Sequence, residues 1–100
     1  MYQEMLQVGS GGSGESVIIE EIISDAISLG PHGTGTYNIT PSKGKIIGIK
    51  SINMMPSGTR LSIDSWHIDD ENNNLVVNFK NTSSGSTQSG YINATIIIVQ

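Results

Sequence analysis

The feature that most constrains this chain is four consecutive β-branched apolar residues, Ile96, Ile97, Ile98 and Val99. Branching at Cβ costs side-chain freedom in a helix and suits a pleated surface. In a strand, neighbouring side chains point to opposite faces, so this run is apolar on both. Such a strand cannot leave one face in water. It lies at the centre of a sheet, or another subunit covers its second face. The rest of the chain carries the same bias. Ile, Val, Thr, Tyr, Phe and Trp total 33 of the 100 residues, against 15 for the helix formers Ala, Leu, Glu and Lys.

Short alternating segments punctuated by turn residues fill the region after residue 15. Ser16 to Ile23 predicts a strand with Val17, Ile19, Glu21 and Ile23 on one face and Ile18, Glu20 and Ile22 on the other. Ala26 to Leu29 continues it or forms a second short strand. Gly30 to Gly35 and Pro41 to Gly44 read as turns flanking a strand at Thr36 to Thr40. Lys45 to Met54 reads as a strand with Ile47 and Ile49 on one face and Ile46, Ile52 and Met54 on the other. Met55 to Gly58 reads as a β-turn with Pro56 at its second position. In Thr59 to Ile68, Leu61 and Ile63 share one parity and Trp66 and Ile68 the other, which predicts a bulge between Asp64 and Trp66. Asp69 to Asn74 is a polar hairpin loop. Leu75, Val77 and Phe79 alternate through the next strand, Asn81 to Gly90 is a polar loop, and Tyr91 to Val99 closes the pattern. Six or seven strands with turns every 8–12 residues predict an all-β fold, an antiparallel β-sandwich of jelly-roll or immunoglobulin-like type. Its expected core is Leu61, Ile63, Leu75, Val77, Phe79, Ile96 and Ile98.

The N-terminal residues stand apart. Tyr2, Met5, Leu6 and Val8 form a short apolar arm that reads equally as helix or strand, and Gly9 to Gly14 is a Gly/Ser tether. Such a tether is flexible by composition. The expected organisation is a docking arm and tether at 1–14 and a sandwich domain at 15–100.

Several function classes are disfavoured at this stage. The length supports one domain. There is no cysteine, hence no disulfide, thiolate metal site or cysteine nucleophile. A net charge of −4 disfavours nucleic acid as a partner. There is no apolar run of membrane-spanning length and no signal-peptide pattern. Charged residues make up only 14 % of the chain, below the roughly 25 % of an average soluble domain. So sparsely charged a surface does little to keep copies apart, which favours a homo-oligomer.

No chemical motif survives comparison with a plainer reading. Gly30 to Gly35 lacks the following helix that a phosphate-binding loop needs. His67 and Asp69 share one strand face, but no nucleophile elbow accompanies them. The acids of Asp69 to Asn74 are adjacent instead of spaced for calcium. No enzyme activity, cofactor or metal is therefore expected. Trp66 with Tyr37 remains a candidate sugar contact, since exposed rings stack on pyranose faces. Tyr91, Ile97 and Val99, together with Tyr2, Met5, Leu6 and Val8 of the arm, are the candidate oligomer or partner contacts.

The opening MYQEMLQVGSGGSG resembles the start of small structural proteins of tailed phages and prophages of Gram-positive bacteria. The segment LVVNFKNTSSGSTQSGYINATIIIV, Leu75 to Val99, is similar to the final hairpin of phage fibre, baseplate and head-decoration domains. The resemblance implies a β-sandwich virion protein without enzyme activity, commonly trimeric, that contacts other virion proteins. A carbohydrate-binding module, such as a fibre tip recognising host surface glycan, is the alternative it leaves open. The stretch Asp25 to Ile68 carries no resemblance.

Overall fold

Alternation of apolar and polar residues at period two organises the described residues into seven strands. They are β1 (Val17–Ile23), β2 (Ile27–Leu29), β3 (Thr34–Ile39), β4 (Lys45–Met55), β5 (Leu61–Asp69), β6 (Asn74–Asn81) and β7 (Gln88–Val99). The structure is a computed structural model that describes residues 16–100. The fold is all-β, with two antiparallel sheets packed as a sandwich. The described residues contain no helix long and apolar enough to cross a membrane.

The first sheet is organised by β7. One side of β7 pairs with β1 along Asn93 to Val99 and then with β2 along Gln88 to Gly90. Its other side pairs with β4. The doubly apolar strand is thus central in its own sheet. Buried Ser24 joins β1 to β2 without losing the ladder. Its N–H donates to Ile92 O at 2.8 Å, and its Oγ accepts from Ile92 N–H at 2.8 Å while donating to Asp25 O at 2.8 Å. The second sheet has the order β3-β6-β5.

The core lies between the sheets. Ile46, Ile92, Ala94, Ile96 and Ile98 face Ile39, Leu61, Leu75, Val77 and Phe79, all buried. Six of the seven expected core residues are among them; Ile63 packs against the cluster but is only partly buried. Gly35, opposite Phe79 in the ladder, gives the ring room: a Cβ there would lie 2.8 Å from Phe79 Cε2 and Cζ.

Four local expectations need correction. First, β4 carries two bulges, at Ile47 and at Lys50. Each adds a residue and reverses parity, so Ile49 joins Ile46, Ile52 and Met54 on the inner face and only Ile47 points outward. Second, the expected loop Asn81–Gly90 is shorter, because β6 runs through Asn81 and β7 begins at Gln88. Third, β3 begins at Thr34 and β5 at Leu61. Fourth, the turn after β4 spans Pro56 to Thr59, closed by Thr59 N–H to Pro56 O at 3.0 Å, so Pro56 occupies its first position. The expected bulge in β5 is present, with the register shifting between Ile63 and Ser65.

Candidate functional site

A two-layer sandwich has two outer faces, and here they differ in chemistry. The outer face of the second sheet is polar and internally bonded. Thr36 Oγ1 donates to Asn78 Oδ1 at 2.8 Å and Asn78 Nδ2 donates to Ser65 Oγ at 3.1 Å, which ties β3, β6 and β5 in one row. Thr40 Oγ1 donates to Asn74 Oδ1 at 2.8 Å. Lys80 and Asp64 form an exposed ion pair at 3.6 Å, of the kind that adds little stability. Water is the natural neighbour of such a face.

The outer face of the first sheet is built from the odd residues of β1 and β7. Val17 lies opposite Val99, Ile19 opposite Ile97, Glu21 opposite Thr95 and Ile23 opposite Asn93. On the other side of β7, Gly48 lies opposite Ile97, with bulged Ile47 beside it. Val17, Ile19, Ile23 and Ile47 are 51–58 % exposed, while Ile97 and Val99 between them are half-buried by their neighbours. The apolar end of this face gives way to a polar middle of Glu21, Thr95, Ser51, Asn93 and Asn53. Tyr91, opposite Met55, closes the far end.

The expected contact residues Tyr91, Ile97 and Val99 therefore share this outer face. The arm residues Tyr2, Met5, Leu6 and Val8 lie outside the described residues. Val17, Ile19, Ile23 and Ile47 belong to the same outer face and were missed as contact candidates. Their signal was present in the sequence for β1, where both strand faces are apolar. For Ile47 it was hidden by the bulges.

The aromatic candidates do not form a platform. Trp66 and Tyr37 both pair with Val77, from opposite sides of β6. They sit on the inward side of the second sheet, about 10 Å apart across two strand spacings. Trp66 is 44 % exposed because β5 is an edge strand. Half-buried Tyr37 uses its hydroxyl to accept from Asp25 N–H at 3.2 Å.

His67 and Asp69 do share a face, the polar one. Asp69 is occupied by its own hairpin: Asn72 Nδ2 donates to Oδ2 at 2.8 Å and Asn72 N–H to Oδ1 at 3.3 Å. These bonds hold its carboxyl below the ordinary aspartate value, with His67 adding a small pull in the same direction. His32 stands in the turn between β2 and β3 with φ 57°. Among the described residues, no three His, Asp or Glu side chains are grouped to hold a metal ion. Comparison with family models, with curated proteins and with solved structures finds no match.

Proposed function

We propose that this protein is a non-enzymatic structural subunit of a phage or prophage virion, which assembles with copies of itself and with other virion proteins through the outer face of the β1-β7-β4 sheet. The observation that carries the reading is the difference between the two outer faces. One is a hydrogen-bonded polar surface; the other exposes Val17, Ile19 and Ile47 around Ile97 and Val99, with exposed Ile23 farther along β1 beyond Glu21. These side chains offer roughly 350 Å² of apolar surface, within the size range of patches that serve as binding sites. Removing that area from water stabilises an assembly by about 9 kcal/mol per subunit. Association costs are of similar size, ~4–15 kcal/mol. Assembly on this face therefore also recruits the polar row of Glu21, Ser51 and Thr95, reaching toward the roughly 800 Å² per partner of a standard interface. A homotrimer and the virion location come from the family resemblance. The hairpin bonds that occupy Asp69 and the exposed position of His67 support a non-catalytic role.

Light scattering at micromolar concentration tests the assembly. The wild-type chain should exceed its 10.6 kDa subunit mass. Ile97→Lys should reduce it to single subunits with an unchanged β-type circular dichroism, because Ile97 faces away from the core. A wild-type species of subunit mass, or an Ile97→Lys variant that assembles normally, refutes the reading.

A second reading rests on Trp66, whose ring is 44 % exposed at the β5 edge. A glycan contact there would quench its fluorescence on titration with host cell-wall polysaccharide. Unchanged emission eliminates it.

A further inference from the structure

Among the described residues, β1 pairs only with β7, and its other edge carries no strand. Gln100 N–H donates to Ser16 O at 3.0 Å at one end of the β1–β7 ladder, and Ser24 N–H donates to Ile92 O at 2.8 Å just past the other. Ladder alternation therefore turns the backbone groups of Ile18, Glu20 and Ile22 toward β7. The N–H and C=O groups of Val17, Ile19, Glu21 and Ile23 point away from it, along the edge. The register is unbroken over all seven β1–β7 pairs. The opposite edge is different: β4 carries two bulges, with Lys50 at one of them. Bulges and edge lysines deter further strand pairing.

The arm repeats the edge pattern in reverse. β1 presents Val17, Ile19, Glu21 and Ile23 on its outward face. Read backwards, the even residues of the arm are Val8, Leu6, Glu4 and Tyr2. Both series run apolar, apolar, acid, apolar. Antiparallel partners are read in opposite directions, so Val8 falls opposite Val17, Leu6 opposite Ile19 and Tyr2 opposite Ile23. A shift of two residues sets Leu6 against Glu21 and Glu4 against Ile23, so the side-chain pattern selects one register. The like-charge pair in that register is Glu4 with Glu21. Asn93 Nδ2 donates to Glu21 Oε2 at 3.1 Å, which draws this carboxylate over β7 and away from the edge.

We propose that Met1–Val8 adds as an antiparallel strand to the open β1 edge of its own subunit, with Val8 opposite Val17 and Tyr2 opposite Ile23. Residues 9–16, rich in Gly and Ser, form the connection. A link of this length and composition holds the arm near the edge at millimolar effective concentration, well above that of a second copy in micromolar solution. A second β1 is also a poorer occupant: pairing about the strand's centre sets Glu20 against Glu20 and Ile19 against Glu21. The added strand does not depend on assembly through the outer face. Where both occur, it widens that face by Tyr2, Leu6 and Val8.

Residue-resolved hydrogen exchange on the full chain tests the pairing. The amides of Val17, Ile19, Glu21 and Ile23 should exchange about ten-fold or more slower than in an unstructured peptide. Leu6→Pro removes a ladder donor from the arm and should return these amides to fast exchange. Ile18, Glu20 and Ile22, bonded to β7, should stay protected throughout and report that the sheet is intact. Should they open as well, Leu6→Asp replaces Leu6→Pro. The pattern should also persist in Ile97→Lys, which separates it from assembly through the outer face. Fast exchange at Val17, Ile19, Glu21 and Ile23 in the wild-type chain overturns the proposal. So does protection that survives both arm variants, which would assign the edge to a second copy.

Discussion

Replacing Asn81, the last residue of β6, should cost this fold a large share of its stability. Its side chain is buried at the end of β6 and gathers two loops. Nδ2 lies 3.0 Å from each of three carbonyl oxygens, those of Leu29, Gly30 and Ser86. Oδ1 accepts from the N–H of buried Ser83 at 2.8 Å. Asn81→Ala orphans that N–H, at about 1–3 kcal/mol, and removes two donated bonds worth about 0.5–1.5 kcal/mol each. The expected loss is therefore about 2–6 kcal/mol, a large share of the ~5–15 kcal/mol typical of a domain. Asn81→Asp is the sharper probe. It keeps the acceptor for Ser83 but sets a carboxylate against three carbonyl oxygens, which raises the folded-state pKa of the new group above its unfolded value of about 3.9. The folded state then binds more protons than the unfolded state between those two values, so stability falls as pH rises through that window. Urea unfolding followed by circular dichroism, at pH 4 and pH 7 beside the wild type, reads both effects. The reasoning fails if Asn81→Ala costs under ~1 kcal/mol, or if Asn81→Asp is no worse relative to wild type at pH 7 than at pH 4.

Two further expectations concern other contacts. Gly35→Ala places a methyl group 2.8 Å from the Phe79 ring and should cost about 1–3 kcal/mol; Phe79→Leu in the same chain should recover part of that loss in a urea titration, whereas simple addition of the two losses would contradict the packing. The Asp69 carboxyl, followed by NMR, should titrate below the ordinary aspartate value and move up in Asn72→Ala, since Asn72 supplies the bonds that depress it. Because the depressed group favours the folded hairpin above its unfolded pKa, this contribution disappears only as pH falls through the folded value; an unmoved midpoint in Asn72→Ala would contradict the assignment.

Parity along each strand made most of the architecture legible. Leu75, Val77 and Phe79 announced the inner face of β6, and the parity change between Ile63 and Trp66 located the bulge in β5. The same rule failed in β4, where two bulges within a few residues reverse parity twice and place Ile49 inside. Neither bulge leaves a local mark in a segment this rich in isoleucine. The polar bonds were harder to read, because their partners lie far apart in the chain. Asn73 looked like one more solvated hairpin residue. Instead its Oδ1 accepts from Ile46 N–H at 2.9 Å and its Nδ2 donates to Gly44 O at 2.8 Å, which pins the β5–β6 turn to the start of β4 in the other sheet. Asn81 likewise sits in a run of Asn, Thr and Ser whose composition suggests only a surface loop. The candidate face was half legible. The run Ile96 to Val99 signalled a strand with two apolar sides, but the positions of Val17, Ile19 and Ile47 around it depend on pairing.

The position of β7 in the first sheet also sets an order of events during synthesis. β1, β2 and β4 pair with β7 and not with one another, and the ribosome makes all three before it. Until β7 emerges, Ile18, Ile22, Ile46 and Ile52 have no ladder to hold them and no completed core to cover them. The second sheet is freer, because β6 follows directly on β5 and can pair with it and with β3 at once. Contacts of such long sequence separation are slow to form, and the waiting strands are open meanwhile to pairing with other nascent chains. The strand that completes the sheet thereby also ends the period in which this polypeptide is most prone to aggregate.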